Sequence, residues 1–211
     1  MEILYLNEVD STHKYLKNYI KKNSFNNPIA VVTQNQTHGV GSRFNSWKGK
    51  SGNLFFSFVI NKELLPIDLP LQSSSIYFSY ILKDIFNTLG SKVWLKWPND
   101  FYIKNKKIGG TITNVSGNLI YCGIGLNLNY VEKQFGYLDI DININKVLKL
   151  YFEELMSKIS WKYIFNKYKK EFEKSKKMET TINNQKRSLK HSVLNSDGSI
   201  SIDNNKIFSL R

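Results

Sequence analysis

The chain has 211 residues, 41% of them hydrophobic and 14% aromatic, which is enough for one sizeable core plus a small appendage and excludes global disorder. No run approaches the roughly 18 apolar residues of a membrane span. Met1 to Asn7 is too short and polar for a secretory signal, and the single cysteine, Cys122, excludes an internal disulfide, so the expected setting is cytoplasmic. Thirty Lys plus Arg against seventeen Asp plus Glu give a formal charge of +13, a field that attracts anions.

In chain order, "MEILYLNEV" reads as a strand and "DSTHKYLKNYIKK" as a helix, with Ser11 or Thr12 as its cap and Tyr15, Leu16, Tyr19 and Ile20 on one face. "PIAVVTQN" is a β-branched strand, followed by a glycine-rich basic loop and the strand "NLFFSFVI". "LPLQSSSIYFSYILKDIFNTLG" has helical spacing and ends at Gly90. "KVWLKW", "FYI", "IGGTITNV" and "LIYCGIGLNLNY" are strands joined by tight turns, an antiparallel meander in which Cys122 is a small buried hydrophobe. The stretch from Ile144 to Lys177 is helical throughout, with a bend near Ile159 and Ser160. Beyond Met178 come short β-prone segments, with a hairpin signal at Asp197 and Gly198.

The expected fold is α+β: a mixed, largely antiparallel sheet with helices on one face. The boundary expected near Lys177 divides residues 1–177 from a small C-terminal β domain, 178–211.

Four stretches could carry chemistry. In "THGVGSRFNSWKGKSGN", Gly39, Gly41, Gly49 and Gly52 let the backbone approach a ligand, while Arg43, Lys48 and Lys50 suit phosphate. It is not a Walker A loop, because its "GKS" leads into a strand, and an ordinary flexible connection remains the alternative. "KWPND", Lys96 to Asp100, holds a cation, an amide and a carboxylate at a strand end, or else is a hairpin with an Asx-turn. In "KKIGG", Lys107 can reach an anion across the bare Gly109 and Gly110, or else the stretch is simply a turn. In "GIGLNLN", Gly123 and Gly125 bare the backbone, and Asn127 offers an amide to a metal-bridged phosphate or to a neighbouring strand.

In order and spacing, "STHKYLK", "QTHGVGSRFNSW", "SGNLFFSF", "LKWPND", "KKIGG" and "GIGLNLN" resemble the biotin–protein ligases, whose catalytic fold is shared with the lipoate ligases and, remotely, the class II aminoacyl-tRNA synthetases. The likeness is strong from Ser11 to Asn129, and the residues after Lys177 resemble the family's small C-terminal β-barrel in pattern alone. The resemblance implies ATP-dependent conversion of biotin to biotinyl-5′-adenylate, then transfer to one lysine of a biotin carboxyl carrier protein with an acidic surface.

Carried over by position, the biotin site comprises Ser11, Thr12, His13, Gln36, Gly39, Val40, Gly41, Ser42, Lys107, Gly110 and Gly123. ATP falls to Arg43, Trp47, Lys96, Asn99, Asp100 and Asn127, with Mg2+ on Asp100 and Asn127 and catalysis on Lys107, Asp100 and Arg43. Asp100 also takes the proton of the incoming lysine.

Two departures stand out. His13 occupies a position where the family more often has asparagine, and Gly39-Val40-Gly41-Ser42 lacks both arginines of the family's Gly-Arg-Gly-Arg, a charge that Arg43 is expected to restore. The pattern begins at Met1, so no helix-turn-helix and no DNA partner are expected, nor a membrane partner; monomer and homodimer stay open. The alternatives are a lipoate or octanoate ligase of the same superfamily and, from another class, a basic nucleic-acid-binding module.

Overall fold

A computed structural model describes residues 1–41, 46–47, 50–129, 132–183 and 185–208. In chain order the elements are β1 (Glu2–Leu6), α1 (Thr12–Asn23), β2 (Ile29–Thr33), β3 (Gly39–Val40), β4 (Ser46–Trp47), β5 (Leu54–Asn61), α2 (Ser74–Thr88), β6 (Trp94–Lys96), β7 (Asp100–Ile103), β8 (Lys106–Ser116) and β9 (Leu119–Leu126). Then follow α3 (Ile144–Met156), α4 (Trp161–Ser175), β10 (Glu179–Ile182), β11 (Gln185–Ser188), β12 (Val193–Leu194), β13 (Ile200–Ile202) and β14 (Asn205–Ile207).

Seven strands form the main sheet in the order β1-β2-β5-β9-β8-β7-β6. Only β1 and β2 pair parallel, because α1 crosses over between them; the other pairs are antiparallel. The expected meander is β6 to β9. The helices begin where short polar side chains can accept the first free N–H groups: Ser11 Oγ from Lys14 N at 3.4 Å, Asn143 Oδ1 from Lys146 N at 3.0 Å and Ser160 Oγ from Tyr163 N at 3.3 Å. The Ser160 cap starts α4 at the expected bend.

Strand alternation divides the apolar residues between two faces. Ala30 and Val32, Phe56 and Phe58, and Cys122 and Ile124 join the large core under α2, α3 and α4, whereas Val31, Val59 and Tyr121 pack with Leu16 and Ile20 of α1 on the opposite side. This corrects the expectation that all helices share one face. A three-turn amphipathic helix buries its stripe against whichever sheet face its connections allow, which periodicity alone does not reveal. Cys122 is fully buried, and burial pushes its thiol pKa up, so it is a core residue.

The C-terminal strands form two small antiparallel sheets, β10-β11 and β12-β13-β14, rather than a closed barrel. The Asp197-Gly198 hairpin is present between β12 and β13. Its turn is bound to the larger part of the fold: Trp97 Nε1 donates to Gly198 O at 3.0 Å, Trp161 Nε1 to Ser196 O at 2.8 Å and Ser73 Oγ to Asp197 O at 2.5 Å. Trp97 is fully buried, and its backbone N donates to Ser175 Oγ at 3.0 Å, so α4 and the hairpin together hold the turn that carries Asn99 and Asp100. Leu189 and Ile200 of the tail also belong to the large core. No described helix is long and apolar enough to cross a membrane.

Candidate active site

A cavity of about 450 Å³ opens on the α1 side of the sheet, within the range of small-molecule sites. Its floor exists because side chains are missing. Gly110 of β8 pairs with Gly125 of β9, and Ile112 with Gly123, so three glycines of one face leave a depression in the sheet. A Cβ on Gly123 would lie 3.1 Å from Ser57 Oγ, 3.2 Å from Ile112 Cγ1 and 3.3 Å from His13 Nδ1. On Gly125 it would meet the Trp47 indole at 3.0 Å, and on Gly110 Asp100 Oδ1 at 3.2 Å.

One end is a buried hydrogen-bond network. The capped start of α1 brings Ser11, Thr12 and His13 to the wall, where Gln36 Oε1 accepts from Thr12 N at 2.9 Å and from Thr12 Oγ1 at 3.2 Å. Thr12 Oγ1 also shares a 2.9 Å hydrogen bond with Ser57 Oγ. Gly39 stands behind the wall, since a Cβ there would fall 2.3 Å from Gln36 Nε2; its bareness admits the amide. His13 is 8% exposed, and burial first, then the charge of Lys17, lowers its pKa to about 4 against a weaker opposing hydrogen bond with Asn114, so the ring is neutral at pH 7. Its Nδ1 and the indole Nε1 of Trp47 are buried and have no hydrogen-bond partner among the described residues.

The other end is charged. Lys107 Nζ and Asp100 Oδ1 form an ion pair at 2.6 Å, directly above Gly110. Asp100 is placed by its pairing with Gly110, and Asn99 by a bond from its Nδ2 to Thr111 O and another from Thr111 N to its own carbonyl at 3.1 Å. Asn127 is buried and donates from Nδ2 to Gly136 O at 3.1 Å, so its amide oxygen is the atom it could offer to a ligand. Among the described residues no group of three His, Cys, Asp or Glu gathers to hold a metal on its own.

The cavity therefore brings together Ser11, Thr12, His13, Gln36, Val40, Gly41, Trp47, Asn99, Asp100, Lys107, Gly110, Gly123 and Asn127. It does not include Gly39 or Lys96. Lys96 lies outside the lining, its ammonium 5.6 Å from the Tyr102 ring centroid, and burial lowers its pKa against the opposing charge of Asp100. Ser42 and Arg43 lie outside the described residues. The expectations missed Ser57 and the trio Glu132, Gln134 and Phe135 as lining residues, whereas Lys50, read from the sequence as suited to phosphate, does line the cavity. Ser57 was signalled by a lone polar residue in an otherwise apolar strand. The trio comes from a segment tied to β8 through Gly136 N and Lys107 O at 2.9 Å, which no motif marked.

The sequence profile of the biotin/lipoate A/B protein ligase family matches residues 5–129. A biotin acetyl coenzyme A carboxylase synthetase from Helicobacter pylori, solved with bound biotinylated ATP, has a TM-score of 0.93 to this chain at 35% identity, covering 98% of this chain and 99% of that one. The biotin protein ligase of Aquifex aeolicus in complex with biotin and ATP has a TM-score of 0.72 at 25% identity, over 100% and 98% of the two chains. The bifunctional ligase/repressor BirA of Escherichia coli is 28% identical over 127 residues, 57% of this chain and 38% of its own length, so the match spans less than half of that relative. With more than half of its residues inside the matched region, the chain belongs to the biotin/lipoate A/B protein ligase family.

Proposed function

We propose that this chain is a biotin–protein ligase that makes biotinyl-5′-adenylate from biotin and ATP and transfers the biotinyl group to a lysine of a biotin carboxyl carrier protein. The observation that carries the reading is the Lys107–Asp100 pair above a glycine-floored cavity whose far end is a buried polar network.

In the first step a biotin carboxylate oxygen bonds to the α-phosphorus of ATP, and the bond to the bridging oxygen breaks, releasing pyrophosphate. Both reactants are anions, so alignment and charge neutralisation limit the rate. Lys107 exchanges Asp100 for the carboxylate and phosphoryl oxygens, and Lys50 adds positive charge to the same cavity. Arg43 is assigned to the phosphate as well. In the second step the amine of the acceptor lysine bonds to the acyl carbon and AMP leaves. That amine is mostly protonated near pH 7, and Asp100, released by Lys107, is the base within reach of the reacting carbon.

Ser11, Thr12, His13 and Gln36, with the backbone from Val40 to Gly41, Gly110 and Gly123, hold biotin; Trp47, Asn99, Asp100 and Asn127 border the nucleotide. The Asp100 carboxylate and the Asn127 amide oxygen would hold a Mg2+ ion brought by the phosphates, since two oxygen ligands fit a cation that binds chiefly through its substrate. It would supply neutralisation of the triphosphate. The positive surface suits an acidic carrier in the cytoplasm.

A lipoate or octanoate ligase of the same family is the second reading; the polar head end of the cavity favours biotin, because an alkyl or dithiolane end offers nothing to Thr12, Gln36 or Ser57. The test is incubation with biotin, ATP and Mg2+ followed by mass spectrometry. Adenylate retained on the protein and a mass gain on an added carrier are the expected result. Retention of a lipoyl or octanoyl adenylate under the same conditions, with none from biotin, would sink the assignment.

A further inference from the structure

Two carboxylates line the cavity, Asp100 and Glu132, and only the first is paired with Lys107. Glu132 is exposed, but the segment that carries it is pinned just beyond it. Gly136 N donates to Lys107 O at 2.9 Å, and Gly136 O accepts from Asn127 Nδ2 at 3.1 Å. Only a bare residue can lie this close to β8, since a Cβ on Gly136 would fall 2.9 Å from Lys106 Cβ and 3.1 Å from Ile108 Cγ2. Leu138 N then donates to Asn127 O at 2.8 Å, and the Leu138 side chain joins the large core. The carboxylate itself is oriented: Gln134 Nε2 donates to its Oε2 at 3.1 Å, and a turn bond runs from Phe135 N to Glu132 O at 2.9 Å. Oε1 has no hydrogen-bond partner among the described residues.

Its charge opposes the first step. A carboxylate repels a triphosphate or an acyl-adenylate, so Glu132 works against the anions that Lys50 and Lys107 attract from the same lining. Of the reactants, only the acceptor lysine is a cation. It arrives mostly protonated, at a chain of formal charge +13, and has to pass lysines of the lining to reach the acyl carbon.

We propose that the Glu132 carboxylate receives the ammonium of the acceptor lysine and sets it toward Asp100, which makes Glu132 a positioning residue for the transfer step. The inference rests on the biotin-ligase reading and deepens it. The two carboxylates divide the work by exposure. Glu132, open to water, attracts the protonated amine; Asp100, its side chain 23% exposed, takes the proton, after which the free amine bonds to the acyl carbon and AMP leaves.

The experiment uses the full chain and two acceptors for the adenylate it forms from biotin, ATP and Mg2+: a biotin carboxyl carrier domain, whose lysine arrives charged, and hydroxylamine, a nucleophile that is mostly neutral at neutral pH. Glu132→Gln keeps the shape and removes the charge. It is expected to lower kcat/KM for the carrier about three- to tenfold, chiefly through KM and less at high salt, as for a charge at the rim of an interface, and Glu132→Lys to lower it further. Capture by hydroxylamine is expected to stay within about twofold of wild type, and the adenylate to be retained more tightly because a like charge is gone. A merely structural role would lower all of these together. Carrier transfer within about twofold of wild type in both variants, or an equal loss with hydroxylamine, overturns the proposal. So does a loss of biotin-dependent pyrophosphate exchange that added Mg2+ restores, which would give Glu132 to the metal. The ligase assignment stands in each of these cases. A chain that makes no biotinyl-adenylate overturns both.

Discussion

The two ends of the cavity are built in opposite ways. At the head end the polar groups are buried and, His13 Nδ1 apart, bonded to each other before a ligand arrives; Thr12 and Gln36 are 3% and 7% exposed. At the charged end Lys107 and Asp100 neutralise one another, with side chains 32% and 23% exposed, and the ligand must separate them. The difference is energetic. A pair this accessible to water is worth little, about 0–1 kcal/mol, so exchanging it for a phosphoryl oxygen costs little. On the function proposed above, the pre-bonded end would select the acid and the exchangeable pair would meet the charge, dividing recognition from chemistry.

If the division is right, substitutions at the two ends separate in what they change. The largest loss is expected for Lys107→Ala, with biotin-dependent pyrophosphate exchange falling by about 10² or more, the scale of removing one preorganised electrostatic contact. Biotin binding by tryptophan quenching should fall far less. An exchange rate within threefold of wild type would remove Lys107 from the reaction.

Gly123→Val attacks the other end. Its Cβ alone would stand within 3.3 Å of Ser57, Ile112 and His13, so the branched side chain occupies the space assigned to biotin. Biotin affinity should drop more than about tenfold, as expected for filling a closely packed site. Unchanged affinity in calorimetry would put the ligand elsewhere. Asp100→Asn is the finer probe. It keeps the shape but removes the proton acceptor, so transfer from preformed adenylate to carrier should slow by about 10²-fold, with adenylate formation much less affected. Equal losses in both steps would leave Asp100 without its role as base.

The hairpin that supports the charged end can be tested separately. Gly198 has φ of +80°, and a Cβ there would lie 2.4 Å from Ser73 Oγ, so Gly198→Ala combines backbone strain with a clash at a turn bonded to Trp97. The expected destabilisation is about 1–3 kcal/mol, a fall of several degrees in Tm for a chain of this size. A Tm within one degree of wild type, about the resolution of the method, would mean that the turn is not held as described.

How far the sequence carries a reader differs between the same two ends. The charged end was legible because its residues lie close together in the chain: "KWPND" and "KKIGG" occupy consecutive strands, so Asp100, Lys107 and Gly110 meet through local pairing. The head end depends on contacts across 24 and 45 residues, Thr12 with Gln36 and with Ser57, and Ser57 went unnoticed because a serine in an apolar strand is ambiguous until its face is known. Lys96 shows another limit. It pairs with Asp100 across β6 and β7 and so shares that residue's face, yet its ammonium lies by the Tyr102 ring, outside the cavity lining, and a motif written in one dimension does not record where a long side chain ends. Likewise the tail could be read as strands but not as a support for Trp97, since the bond to Gly198 spans 101 residues.

The smallest effect expected is a pH dependence from the head end. His13 has a pKa lowered to about 4 in the folded chain against an ordinary 6.5, so between those values the unfolded chain binds the extra proton. The stability that comes from keeping the ring neutral is complete above pH 6.5 and is lost as pH falls toward 4. Between pH 7 and 5.5 the loss is about 1 kcal/mol. Glu171, whose pKa burial raises against the opposing charges of Lys83 and Lys174, works in the other direction, because its folded form keeps a proton to higher pH. Wild type alone therefore mixes the two, and the difference between wild type and His13→Gln isolates the first. Urea unfolding at pH 7 and 5.5 should show wild type losing about 1 kcal/mol more than the variant on acidification. Equal losses would mean that His13 is not held neutral by its burial, and the head end would then share the adaptable charge of the opposite end.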